Sequence, residues 1–226
     1  MNRETFALLE GFMQQCTADS AHDADHVYRV LYGAMEIAQT EPDTDYDILI
    51  AACLLHDVGR PDQLANPQLC HAQVGAEKAY CFLIDHHFAP DFADKVRRCI
   101  RTHRFRKALP PESLEARILF DADKLDVTGA MGIARTLMYR GAITEPLYAL
   151  QGDGTVSDGT MENENSFFRE YKYKLERLYD RFYTKKGAEM ARQQRGAAIS
   201  FYENLLSQIK NSYTTGRTAL EDKLEK

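Results

Sequence analysis

Ile48-Leu49-Ile50-Ala51-Ala52-Cys53-Leu54-Leu55 is an uninterrupted run of eight apolar residues, closed by His56-Asp57. Without polar–apolar alternation, the run reads as a helix buried on every side rather than one lying on a surface. An imidazole and a carboxylate at the end of such an element are carried towards the interior. A buried unpaired carboxylate is too costly to keep, so Asp57 must be neutralised, hydrogen-bonded or bound to a metal. Thr44 is the expected N-cap of a helix over 45–58, with Asp45 and Asp47 in its first turn. Gly59 and Pro61 are the expected stop.

Outward from this run, helical periodicity dominates and strand-like alternation is scarce. The spacing predicts helices over 3–18, 23–40, 67–86, 90–105, 112–127, 130–141, 165–184 and 186–211. Pro67 and Pro90 read as first-turn prolines, and Gly152 to Gly159 as turn chemistry. The expectation is an all-α fold: one helical domain over 1–212 with additional C-terminal helices, then a polar, frayed tail over 213–226.

A chain of 226 residues is long enough for a full hydrophobic core. Its net charge of −6 argues against a general nucleic-acid binder, though not against a small anionic substrate met by a local cationic cluster. The five cysteines form no C-x-x-C pair and read as reduced core thiols of a cytoplasmic protein. No apolar stretch approaches the roughly 18 residues of a membrane span, and the N-terminus does not resemble a signal peptide.

His26 shares a helical stripe with Val30, Ala34 and Ile37, and His103 shares one with Val96, Cys99 and Ile100, so both point inward. Either histidine alone reads as a core residue bonded to backbone. His26, His56, Asp57 and Asp123, drawn from three helices, together read as two imidazole nitrogens and two carboxylates around a divalent ion. With no thiolate in the set, Mn²⁺, Mg²⁺, Fe²⁺, Co²⁺ and Zn²⁺ are all admissible, and Mn²⁺ is favoured.

These residues carry a resemblance. Asp23-Ala24-Asp25-His26-Val27-Tyr28-Arg29-Val30, Leu54-Leu55-His56-Asp57-Val58-Gly59, His71-Ala72-Gln73-Val74-Gly75-Ala76 and Asp121 to Ala130 resemble successive blocks of the HD-domain superfamily of metal-dependent phosphohydrolases. The C-terminal stretch Lys174 to Arg195 is similar to a bacterial branch that includes nucleotide pyrophosphohydrolases. The resemblance implies His26, His56, Asp57 and Asp123 as metal ligands, with Asp121 a helix-surface or ligand-supporting group. It implies catalytic roles for Asp57, His71, His103 and Lys124, and a nucleotide split by an activated water, for example a triphosphate cut to monophosphate and pyrophosphate. In binuclear members, positions like His71 and His103 complete a second metal site; one tightly held ion is the expectation here. Lys124, Arg104, Arg106 and Lys107 are the expected phosphate contacts. Asp126 stands as either an orienting group or a salt-bridged aspartate, and Arg29 as the partner of an acidic neighbour.

Two other functions stay open at this level. The four histidines and two aspartates match the set used by di-iron oxygenases of HD architecture, and a nucleotide sensor without turnover would keep the same pocket. The segment from Asp153 to Glu164 only faintly resembles a calcium loop. The stripe Phe167, Phe168, Tyr171, Leu175, Leu178, Tyr179 and Phe182 reads as the apolar face of a helix.

Overall fold

The computed structural model describes residues 1–17, 24–104, 109–160 and 165–224. Among them there is no β-strand, only an isolated bridge between Leu150 and Val156. The all-α expectation holds. Two compact units form, Met1–Asp126 with Phe182–Ala188, and Val127–Arg181 with Glu189–Lys226.

The first unit contains α1 (Arg3–Thr17), α2 (Ala24–Ala38), α3 (Tyr46–Leu55), α4 (Arg60–Ala65), α5 (His71–Asp85), α6 (Pro90–Thr102) and α7 (Leu114–Leu125). The apolar run forms α3, with Ile48, Leu49, Ala51, Ala52, Cys53, Leu54 and Leu55 all buried and α1, α2, α5, α6 and α7 packed around it. Asp45 rather than Thr44 caps α3. Its carboxylate accepts from the backbone N–H groups of Asp47 and Ile48, while the Thr44 hydroxyl donates back to the Glu41 carbonyl.

Gly59 does not merely stop a helix, because α4 opens directly after it with Pro61 in its first turn. The second departure follows from this. Pro67 sits in a turn beyond α4 instead of opening a helix, and α5 begins at His71. Gly59 is required by space. A Cβ there would lie 2.3 Å from the His71 carbonyl oxygen and 2.5 Å from the Gly75 nitrogen, both backbone atoms. This close approach seats the start of α5, and therefore His71, against the turn that carries His56 and Asp57. Gly59→Ala is accordingly expected to cost about 3 kcal/mol, the upper end for overpacking. At about 2–4 °C per kcal/mol, the thermal midpoint should fall by roughly 6–12 °C, and metal binding should weaken with it. An unchanged melt would show that α5 does not ride this closely on Gly59.

Asp121 is not on the helix surface. It is fully buried in α7 and accepts from the Tyr183 and Thr184 N–H groups (2.9 and 2.7 Å) and from the Thr184 hydroxyl (2.7 Å). The same hydroxyl accepts from the Gly187 N–H, capping the start of α10 (Lys185–Asn211). Asp121 thus clamps residues 182–188 to α7, and it does so by bonds to residues more than sixty positions away.

In the second unit lie α8 (Gly129–Ala142), α9 (Phe167–Tyr173), a 3₁₀ turn (Leu175–Asp180), most of α10 and α11 (Arg217–Leu224). The continuous helix expected over 165–184 breaks at Lys174. The tighter 3₁₀ winding eclipses Leu175 and Leu178 on the core side, and the Tyr179 hydroxyl accepts from the Gly129 N–H. The aromatic stripe is core as far as Tyr179, with Phe167, Phe168 and Tyr171 packed against Ile133, Val156 and Tyr202, whereas Phe182 belongs to the first unit and is half-buried. In the loop resembling a calcium site, the Asp153 and Asp158 carboxylates fold back onto Thr155 and Thr160, as loop-closing bonds rather than free ligands. No helix among the described residues is long and apolar enough to cross a membrane. All five cysteines are free thiols.

Candidate metal centre

Five helices of the first unit bring their ends or faces to one place. His26 lies in the first turn of α2, and His56 and Asp57 in the turn after α3. His71 opens α5, His103 follows the last residue of α6, and Asp123 comes from α7. All are buried except Asp123, whose carboxylate is 25% exposed and forms the solvent side of the cluster.

Each imidazole is oriented from behind. His56 Nδ1 donates to the Cys53 carbonyl at 2.7 Å, and His103 Nδ1 to the Ile100 carbonyl at 2.6 Å. A carbonyl oxygen only accepts, so the proton is on Nδ1 in both and Nε2 turns its lone pair inward. His71 Nδ1 donates to the Gln63 side-chain oxygen at 2.6 Å, and His26 Nδ1 to Asp126 Oδ2 at 2.7 Å. Asp126 is in turn gripped by Arg29, with Nε 2.6 Å from Oδ1 and Nη2 3.1 Å from Oδ2. Asp126 therefore both orients a ligand and forms a salt bridge.

The inward nitrogens crowd one another. His56 and His26 Nε2 are 3.4 Å apart, and His71 and His103 Nε2 are 3.2 Å apart. Asp57 lies between the pairs. Its Oδ2 is 3.6 Å from His26 Nε2 and 3.7 Å from His56 Nε2, and its Oδ1 is 3.5 Å from His71 Nε2 and 3.6 Å from His103 Nε2. Both carboxylate oxygens are buried without a hydrogen-bond partner. Converging lone pairs and an orphaned buried carboxylate repel unless positive charge sits among them. The donor set fits a divalent cation: the ligand atoms of His26, His56 and Asp123 lie within 4.8 Å of one another, and so do those of Asp57, His71 and His103.

The proton affinities are consistent with that. Burial works against a proton on His26, yet the carboxylates of Asp123 and Asp126 outweigh it and raise its pKa to about 9. The spot draws positive charge. At the other pair burial prevails, holding His71 down at about 2, with Arg60 and Arg104 adding to the effect, and His103 at about 4. Both are neutral imidazoles at physiological pH, as ligands must be.

Arg60 and Gln63 had no signal in the sequence beyond lying one and two turns past the His-Asp pair. Arg60 Nε approaches Asp57 Oδ1 to 3.0 Å, and the side chain stays 23% exposed. Arg104 stands within electrostatic reach of His71 and is partly buried. Lys124 is buried with its ammonium 3.9 Å above the Phe120 ring and 5.6 Å from that of Phe182. Arg106 and Lys107 lie outside the described residues.

Comparison with known proteins adds four findings. The HD domain model matches residues 23–128, a span that includes His26, His56, Asp57, His71, His103 and Asp123. The uncharacterized protein YpgQ of Bacillus subtilis (strain 168) is 31% identical over 197 residues, covering 84% of this chain and 85% of the relative. Among solved structures, a predicted HD superfamily hydrolase of an uncultured Thermotogales bacterium is 29% identical with a TM-score of 0.59 and 91% of each chain covered. The crystal structure of Bacillus subtilis YpgQ in complex with ADP is 26% identical, with a TM-score of 0.69 and coverage of 91% of this chain and 95% of that one.

Proposed function

The chain belongs to the HD-domain family of metal-dependent phosphohydrolases, and from that premise we propose that its substrate is a small nucleotide, a nucleoside triphosphate cut to monophosphate and pyrophosphate. The observation that carries this reading is the pair of arginines, Arg60 and Arg104, beside the buried Asp57–His71–His103 group. Cations at the edge of a carboxylate–imidazole centre suit a chain of phosphates, and the YpgQ relative has been crystallised with ADP.

His26, His56, Asp57 and Asp123 would hold the ion, with Mn²⁺ favoured by the mix of imidazole and carboxylate. A bound divalent ion lowers the pKa of water towards neutrality and offsets charge building on phosphoryl oxygens. The protein's part is orientation and charge. Cys53, Ile100, Gln63 and Asp126 fix the inward nitrogens before substrate arrives. Arg60 and Arg104, with Arg106, Lys107 and Lys124 as further contacts, draw in and position phosphates. The partly exposed Asp123 marks the side from which substrate and water enter. Five free thiols fit a cytoplasmic location.

A second reading concerns occupancy. Asp57, His71 and His103 form a ligand group of their own, which would hold a second ion beside one held by His26, His56 and Asp123. Elemental analysis after Mn²⁺ loading separates the two readings as one ion or two. The substrate reading is tested by incubating the Mn²⁺-loaded protein with nucleoside mono-, di- and triphosphates and resolving the products. The expected result is pyrophosphate release from a triphosphate, absent in His56→Ala. Nucleotide binding without turnover would favour a sensor, and oxygen consumption by a two-iron form would favour an oxygenase; either would sink the proposal.

A further inference from the structure

We propose that residues Phe182 to Gly187 act as a positioning strap, setting the rotation of α7 that aims Asp123 and Asp126 at the metal centre. The strap is a short visit to the first unit by a chain whose flanking stretches, Val127–Arg181 and Glu189–Lys226, build the second. Buried Asp121 takes the Tyr183 and Thr184 N–H groups and the Thr184 hydroxyl. The Tyr183 ring stands edge-on to Phe120, with centroids 4.9 Å apart. The Phe182 ring lies 5.6 Å from the Lys124 ammonium, which is also 3.9 Å from the Phe120 ring.

Helical geometry separates these residues from the ligands. At about 100° per residue, Phe120, Lys124 and Asp121 span an arc of about 100°, and Asp123 and Asp126 share an arc centred roughly 140° away. Asp123 approaches His26 Nε2 to 3.3 Å, and Asp126 bonds His26 Nδ1. The strap thus grips one face of α7 while another face presents both carboxylates to His26. Rotation is the sensitive coordinate. A carboxylate about 6 Å from the helix axis moves about 1 Å for a turn of about 10°, whereas metal–ligand distances tolerate only about 0.2 Å. The apolar packing of α2, α3 and α6 on α7 is non-directional and sets spacing, while the bonds to Asp121 are directional and fix the turn. Gly187 belongs to the same device. A Cβ there would lie 2.8 Å from both Asp121 Oδ2 and Thr184 Oγ1, and its N–H donates to the Thr184 hydroxyl at 3.0 Å.

The inference rests on the metal centre and not on the nucleotide reading, so the readout is Mn²⁺ affinity in the absence of nucleotide. Free Mn²⁺ is followed by electron paramagnetic resonance as the ion is added to the full chain, at a temperature where every variant is folded. Thr184→Val and Gly187→Ala should each bind Mn²⁺ about tenfold more weakly, the lower end for groups that orient ligands. Thr184→Val leaves both backbone donors on Asp121, so it carries the test if Gly187→Ala does not fold. Thr184→Ser keeps the hydroxyl and should bind as wild type does. Leu9→Val, in the core face of α1, a helix that carries no candidate ligand, serves as the control. It should lower the thermal midpoint and leave Mn²⁺ affinity unchanged. A Thr184→Val protein that melts earlier but binds Mn²⁺ like wild type would overturn the proposal, leaving the strap a purely structural element. Equal weakening in Leu9→Val would also overturn it, because affinity would then follow stability alone. A wild type that binds no Mn²⁺ would sink the metal centre and the proposal with it.

Discussion

Asp57→Asn is expected to reduce phosphohydrolase turnover by at least about 10³-fold and to abolish stable metal binding. Both effects follow from position. Asp57 reaches towards both groups of candidate ligands, with one oxygen 3.6 and 3.7 Å from the His26 and His56 nitrogens and the other 3.5 and 3.6 Å from those of His71 and His103. Its charge is held by the fold: burial works against it, yet His56 and the Arg60 guanidinium, with Nε 3.0 Å from Oδ1, outweigh burial and keep the carboxyl well below the usual carboxylate range. Asn removes that charge and leaves Arg60 without its carboxylate, so the metal-free midpoint should not rise. The Tm gain expected of wild type on Mn²⁺ addition should vanish in the variant. A variant that keeps a tenth of wild-type turnover would remove Asp57 from the centre of the chemistry.

The second large effect is expected at Asp126. Its carboxylate takes the Nδ1 proton of His26 and is itself held by the two-pronged grip of Arg29. Asp126→Asn keeps the shape but loses the charge that makes His26 a strong donor and fixes its ring. Loss of such a supporting carboxylate typically weakens metal affinity by about 10–100-fold. Turnover at saturating Mn²⁺ should change much less than affinity, because Asp126 is bonded to the outward nitrogen of His26 and to Arg29. Arg29→Gln should show the same pattern in weaker form. A metal titration followed by activity at saturation separates the two quantities. Unchanged affinity with depressed turnover would contradict this assignment and place Asp126 in the reaction itself.

These expectations draw on two different sources of information. The sequence by itself determined the all-α class and the buried character of α3, because eight apolar residues in succession leave a helix no polar face to present to water. It also determined that His26 and His103 point inward, since each lies on or directly continues the apolar stripe of its helix, and that the aromatic stripe from Phe167 to Tyr179 is core. Such inferences are local: periodicity fixes which face of a helix is buried without saying what it meets.

What the tertiary structure decided lies in contacts between residues far apart in the chain. That Asp45 rather than Thr44 caps α3, and that Pro67 lies in a turn, turned on competing bonds available to each side chain. Gly59 appeared as a helix stop, although its lack of a side chain is what allows α5 to approach and present His71. Asp121 and Asp123 are two residues apart on one helix, and only their neighbours distinguish them. One meets the backbone of Tyr183 and Thr184, and the other meets His26. Arg60 and Gln63 gained meaning only once the turn after α3 brought them to Asp57 and to His71. A pattern of residues can specify which groups are carried inward, but where they converge is set by how the helices pack, because electrostatic and hydrogen-bonding partners are chosen by distance in space rather than along the chain.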